Sequence, residues 1–172
     1  MSPPYVELPK LTDAHDCSQF DSGAPELDEW LRESAITSAK AGNASVFVAT
    51  SGGTRVVAYY ALASCGVAND PTITPGAVRR NAPDPVPCLL LARLAVDREF
   101  HGRRIGTRLF QDVLWRAERV SRDIGFRALL IHARSDEALS FYLSLTGSFR
   151  QSPSDHHHLF LPLRDLRTLV RH

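Results

Sequence analysis

The residues with the clearest chemical potential lie in one short run, His101-Gly-Arg-Arg-Ile-Gly106, directly after the apolar stretch Cys88-Leu-Leu-Leu-Ala-Arg-Leu-Ala-Val96. An apolar stretch of this length reads as a central strand covered on both faces. A glycine-containing loop that leaves such a strand and opens a helix presents backbone N–H groups with no intrahelical acceptor, at the positive end of the helix dipole. That is an anion site, and Arg103 and Arg104 add charge-assisted donors in the same turn. The pattern alone is of low specificity, because a Gly-x-x-x-Gly spacing before a helix occurs without any phosphate to bind.

The elements that must position this loop are legible on either side of it. Asp21-Ser22-Gly23-Ala24-Pro25 reads as a helix start, Leu27, Trp30, Leu31 and Ala35 line one helical face, and Gly42 is the stop. Ser45–Thr50 and Arg55–Ala63 are β-rich runs around Ser51-Gly-Gly-Thr54, a hairpin signal. Residues 64–87 read as a loop. A helix is expected from about Arg104 to Ile124, because Ile105, Leu109, Val113, Ala117, Val120 and Ile124 keep a three-to-four residue spacing. Ala128–Ala133 reads as the next strand, Ser135 as the cap of a helix carrying Phe141-Tyr142, and His158–Leu163 as a last strand. The order implies an α/β (α+β) fold with a mixed sheet flanked by helices.

Composition bounds the answer. The chain has 172 residues, 44% of them apolar and 23% charged, which suits one soluble domain spanning 1–172. No signal peptide is read at Met1–Glu7, and no apolar run is long enough to span a bilayer. Cys17, Cys65 and Cys88 are odd in number and form no CxxC pair, so a cytoplasmic location is expected. The net charge of +1 hides an asymmetry: residues 79–134 carry twelve arginines against six acids, whereas residues 1–78 carry four basic and nine acidic groups. Arginine suits phosphate better than lysine. The middle segment therefore has two readings, a solvated helical surface or a surface for phosphate in a cofactor or nucleic acid.

Leu91–Asp97 followed by His101–Gly106 resembles the acetyl-CoA-binding core of the GNAT superfamily, whose motif runs [Q/R]-x-x-G-x-[G/A] at the strand-to-helix junction. Phe20–Gly23 with Leu27–Leu31, Tyr59–Leu62, Arg79–Asn81 with Pro83–Pro85, Leu91–Asp97, and Phe141-Tyr142 come in the order of the TacT/AtaT-like, tRNA-acetylating toxins of bacterial type II toxin–antitoxin modules. The resemblance covers roughly residues 15–162. It implies a mainly antiparallel sheet with a splayed central strand pair, and acetyl-CoA as co-substrate. Leu94, Ala95 and Val96 then match the backbone that pairs with the pantetheine arm. His101, Gly102, Arg103, Arg104, Ile105, Gly106 and Thr107 match the pyrophosphate loop, and Tyr142 matches the general acid near the sulfur.

The resemblance further implies Arg79, Arg80 and Arg93 as contacts to aminoacyl-tRNA, a cognate antitoxin of ribbon-helix-helix type, and a homodimer. Arg93 has a second reading, an ion pair with a nearby acid. Two departures stand out. His101 and Arg104 replace the family's usual glutamine and second glycine, so either the amide cradle survives with Arg104 swung outward or affinity for the cofactor falls. Phe141–Phe149 is also about two residues longer than the family's F-Y-x-x-x-G-F. A GNAT enzyme acting on a small amine or a protein N-terminus is an alternative, as is a non-catalytic GNAT binding module.

The remaining candidates read as structural. His156-His-His158, placed on a strand, point to alternating faces, and no metal is expected. His132 reads as a strand residue, Cys88 as a buried small side chain, Trp30 and Trp115 as packing residues. Of Tyr59 and Tyr60, one is expected in the core and the other toward a cleft.

Overall fold

The computed structural model describes residues 7–171; the stretch read for a signal peptide reaches back to Met1 and lies almost wholly outside the described residues. Six strands form one sheet in the order β1-β2-β3-β4-β6-β5. They are β1 (Ser45–Ser51), β2 (Arg55–Val67), β3 (Val86–Val96), β4 (Ala128–His132), β5 (Arg150–Gln151) and β6 (His158–Pro162). The helices are α1 (Pro25–Glu33), α2 (Ala35–Lys40), α3 (Gly76–Arg79), α4 (Ile105–Asp123), α5 (Asp136–Leu145) and α6 (Leu163–Arg171). The pairs β1/β2, β4/β6 and β5/β6 are antiparallel, and β3/β4 is parallel. The parallel ladder runs from Cys88 opposite Ala128 to Leu91 opposite Ile131, while β3 continues to Val96. This is the mixed, mainly antiparallel sheet expected from the sequence.

The chain divides into two compact units, one of residues up to 63 with 92–112, the other of 64–91 with residues from 113 onward. In the first, β1 and β2 form the expected hairpin, turned by Gly52 and Gly53, both at positive φ (70° and 88°), as a tight β-turn of this hand requires. Leu11, Phe20, Leu31, Ala35, Val46, Val48, Val56, Tyr59 and Ala95 pack into its core. The helix expected to run from Pro25 to Gly42 is two helices, with Ser34 between them in a non-helical conformation (φ −121°). Buried Asp28 accepts hydrogen bonds from the Ser22 N–H and hydroxyl and so ties the entry loop to α1. Tyr59 and Tyr60 are both fully buried, contrary to the expectation that one faces a cleft. Tyr59 donates to the Leu27 carbonyl at 2.7 Å, and Tyr60 donates to the buried carboxylate of Asp112. A buried phenol needs such a partner, and each has found one within reach.

In the second unit Val78, Val86, Cys88, Ala128, Leu130 and Phe160 form a core. The segment 64–87, expected as loop, carries the end of β2, the short α3 and the start of β3. Asn69 organises its return by donating to the carbonyls of Ala82 (2.9 Å) and Arg79 (3.3 Å). Ile124, read as the last apolar position of α4, lies beyond its end and is 67% exposed. The chain past Pro162 forms α6 rather than more strand. Ser135 caps α5 as expected, its hydroxyl accepting from the Ala138 N–H at 3.1 Å.

Candidate functional site

The loop between β3 and α4 is built from its upstream end. Asp97, 2% exposed, accepts hydrogen bonds from the N–H groups of Asp21 (3.1 Å) and Glu99 (3.0 Å), while its own N–H donates to the Val57 carbonyl at 2.8 Å. These contacts stop β3 and start a single 3-10 turn, Arg98–Phe100. Two of the nearby arginines are engaged. Arg98 forms a forked pair with Asp21 (2.7 and 2.9 Å), and Arg55 lies 3.3 Å from Glu99 and 3.8 Å from Asp97. The Arg103 guanidinium sits over the Phe100 ring at 4.8 Å.

His101 then folds back, its Nε2 2.7 Å from the carbonyl oxygen of Val96. A carbonyl only accepts, so the Nε2-protonated ring is the one that fits this contact. Gly102 (φ 78°) and Arg104 (φ 59°) both adopt left-handed backbone. Arg104 occupies the position where the resembling motif has glycine, and it keeps the glycine conformation. Its carbonyl accepts the first bond of α4, from the Arg108 N–H at 3.1 Å, which makes Arg104 the residue before the helix proper. The amides of Ile105, Gly106 and Thr107 lie in the first turn, where helical geometry provides them no acceptor. Gly102, Arg103 and Arg104 are exposed. The loop therefore offers first-turn amides, a helix dipole and two arginine side chains to an anion. On β3, Ala95 is buried, while Leu94 and Val96 are half-buried.

Tyr142 belongs to the other unit. It lies on α5 and is 7% exposed, with Phe141 edge-on to it at 5.2 Å. Burial pushes its hydroxyl above the ordinary phenol range, so it is protonated at neutral pH, as a proton donor must be.

Residues 10–147 match the family described as the acetyltransferase (GNAT) family. The chain belongs to the GNAT acetyltransferase family. It is 45% identical over 166 residues to a tRNA-acetylating toxin of Mycobacterium tuberculosis, a match covering 96% of this chain and 97% of the relative. Among solved structures, AtaT complexed with acetyl-methionyl-tRNAfMet matches with a TM-score of 0.82 at 22% identity, over 94% of this chain and 97% of that one. An AtaT mutant bound to the C-terminus of the antitoxin AtaR and acetyl-CoA matches with a TM-score of 0.79 at 23% identity, over 96% and 97%. At these identities the two structures speak for the fold.

Within the GNAT chain, the three arginines singled out from sequence fall in different settings. Arg93 lacks the ion pair with an acid that was one of its readings: its guanidinium stacks on Trp30 at 4.2 Å, and Trp30 in turn lies parallel to Tyr59 at 6.0 Å. Cation–π contact and indole packing hold it there. Arg79 is half-buried and adds a minor share to the lowered pKa of Asp70, which hydrogen bonds from the Thr72 N–H and hydroxyl chiefly cause, whereas Arg80 is exposed and lines a cavity.

The histidine run also departs from expectation. Only His158 lies on a strand; His156 and His157 occupy the turn before it. They do not diverge, and their ligand atoms and that of Asp136 lie within 4.8 Å of one another. His157 Nε2 is already within 2.8 Å of the Asp136 carboxylate, a direct hydrogen bond. His132 stacks on His158 at 3.9 Å, and desolvation together with the His158 charge lowers its pKa. Cys88 is buried and its thiol is pushed up to about 12, which removes it as a nucleophile. Sequence reasoning missed Asp97 and Asp112 as anchors. A carboxylate directly after a buried strand was the available signal for Asp97; Asp112 has none beyond its place on the apolar face of α4.

Proposed function

We propose that the protein transfers acetyl from acetyl-CoA to the amino group of aminoacyl-tRNA and thereby blocks translation, as the toxin of a toxin–antitoxin pair. The observation that carries this reading is the near full-length 45% identity to a tRNA-acetylating toxin. The left-handed turn at Arg104 supports it, because it keeps the loop conformation that a glycine would otherwise provide. One acetyltransferase domain is the simplest organisation, since the family match takes in parts of both units.

In this reading the amides of Gly102 to Gly106, with Thr107, hold the pyrophosphate, and Arg103 and Arg104 neutralise it. The β3 backbone at Leu94, Ala95 and Val96 pairs with the pantetheine arm, with the Val96 carbonyl already in contact with His101 Nε2. The acceptor amine attacks the thioester carbonyl in its neutral form, the C–S bond breaks as the amide forms, and the thiolate that departs takes the Tyr142 proton. The proton shed by the nitrogen passes to water, from which the Tyr142 oxygen regains one. Arg79, Arg80 and Arg93 contact the acceptor RNA. An antitoxin of ribbon-helix-helix type, a homodimer and a cytoplasmic location complete the proposal. Among the described residues no helix is long and apolar enough to cross a membrane.

Labelled acetyl-CoA offered to a mixed pool of aminoacyl-tRNAs, small amines and peptides with free N-termini tests the acceptor class. Label on tRNA supports the proposal; label on amines or peptides alone overturns it in favour of a GNAT enzyme with another acceptor.

A further inference from the structure

Six arginines, Arg80, Arg127, Arg150, Arg164, Arg167 and Arg171, line one cavity of about 750 Å³ in the unit that contains α6, and Asp165 is the one acid on its wall. The sequence builds this wall from an amphipathic helix. Leu163, Leu166, Leu169 and Val170 form the apolar stripe of α6, with Leu166 fully buried, which leaves Arg164, Arg167 and Arg171 along the opposite side at positions i, i+3 and i+7. Arg127 fixes the far wall: it donates to the carbonyls of Val78 (3.2 Å) and Arg80 (3.0 Å) and so holds the end of α3. Arg80 lies flat along α3, where a Cβ on Gly76 would come within 3.3 Å of its guanidinium.

This concentration of positive charge is poorly compensated. Arg150 reaches Asp165 at only 3.8 Å, and Arg167 donates to the Ser121 hydroxyl at 3.3 Å. Among the described residues, Arg80, Arg164 and Arg171 have no side-chain hydrogen bond or ion pair, and all three are exposed. Like charges gathered around a concavity repel unless an anion joins them.

We infer that this cavity is a docking surface for the RNA phosphodiester backbone, separate from the acetyl-transfer loop, and that it holds the body of the acceptor tRNA. The inference rests on the tRNA reading above. The cavity's basic groups are all arginine, whose fork pairs with phosphate oxygens two at a time. Three of them, Arg164, Arg167 and Arg171, are spread along α6 over about 10 Å, from a rise of about 1.5 Å per residue. Along one nucleic-acid strand that distance meets on the order of three phosphates. A run of charges of this length suits a polymer better than a single small anion.

The test measures binding of labelled tRNA to the full chain across a salt series, with wild type beside Arg164→Gln/Arg171→Gln and Asp165→Asn. The double variant is expected to bind about tenfold more weakly, a loss of about 1.4 kcal/mol, with a log–log salt slope shallower by about 1 to 2. Its KM for aminoacyl-tRNA rises, while kcat and acetyl-CoA affinity hold. Asp165→Asn, which removes the one opposing charge, binds tRNA more tightly. Unchanged affinity and slope in a double variant that melts like wild type overturn the inference. If the double variant does not fold, Asp165→Asn decides: no change in tRNA affinity is equally fatal. ATP that binds here at micromolar concentration and displaces RNA would overturn the backbone reading in favour of a free nucleotide. Absence of acetyl transfer to tRNA by wild type removes the proposed function, while the salt slopes still decide whether RNA docks here.

Discussion

His101 Nε2 lies 2.7 Å from the Val96 carbonyl, so the first residue of the glycine-containing loop before α4 is tied back to the strand that delivers it. The bond fixes where the loop begins before any ligand arrives, which lowers the ordering cost of binding. It also accounts for a histidine where the family's glutamine usually stands, since a glutamine amide donates to a carbonyl in the same way. His101→Gln is therefore expected to keep acetyl-CoA affinity within about threefold, and His101→Ala to lose about one hydrogen bond, near 1 kcal/mol or fivefold. Calorimetric titration with acetyl-CoA checks both. Equal losses in the two variants would show that the contact is incidental.

Arg104 at φ 59° bears a backbone cost that glycine would not. A left-handed non-glycine residue costs about 1–2 kcal/mol, and the greater freedom of glycine in the unfolded chain offsets about half of that. Arg104→Gly should therefore raise the melting temperature by about 2 °C, at the expense of one cation near the phosphates. Gly102→Ala should do the reverse, a net loss of about 0.5–1 kcal/mol; since no atom lies within 4 Å of the added Cβ, the loss comes from backbone conformation alone. Thermal melts of both variants test this, and a destabilised Arg104→Gly would contradict it.

Much of this arrangement was legible in the sequence. The strand–loop–helix at 88–124, the hairpin and the Ser135 cap all carry local signals: an apolar run, paired glycines, and a hydroxyl one residue before a helix. What was not legible depended on tertiary partners. Tyr59 and Tyr60 alternate along β2, yet both are buried, because Leu27 and Asp112 satisfy their hydroxyls on either side. Arg93 looked like a charge in need of an acid, and an indole ring took that place. The α6 stripe of Leu163, Leu166 and Leu169 was visible in principle, but its closeness to an apolar strand drew the expected strand one residue too far. Left-handed backbone at an arginine has no sequence signal except departure from a motif.

Asp97 is the buried group on which the loop's upstream end depends. Its carboxylate accepts from two backbone N–H groups on separate segments and lies 3.8 Å from Arg55. Asp97→Ala leaves those donors without their acceptor and is expected to cost about 2–3 kcal/mol, read as a lower urea midpoint. Acetyl-CoA affinity should fall along with it. A variant of wild-type stability would remove Asp97 from the account.

The pH dependence follows from the direction of the Tyr142 shift. Burial raises its pKa above the phenol value of about 10, so the donor form persists throughout the neutral and mildly alkaline range. The acceptor amine, with an ordinary α-amino value near 8 or below, must lose its proton to attack. Initial rates at subsaturating aminoacyl-tRNA should rise from pH 6 to 8 and then stay level to pH 9. A descending limb between pH 7 and 9 that disappears in Tyr142→Phe would contradict the direction of the shift.

The most direct test of the central claim is single-turnover transfer of labelled acetyl from acetyl-CoA to aminoacyl-tRNA, with wild type beside Tyr142→Phe and acetyl-CoA binding measured on the same preparations. Loss of the proton donor should lower the transfer rate about 10²- to 10⁴-fold while leaving acetyl-CoA affinity nearly unchanged. Undiminished transfer by the variant would remove Tyr142 as general acid. No transfer to any aminoacyl-tRNA by a wild type that binds acetyl-CoA would contradict the function itself.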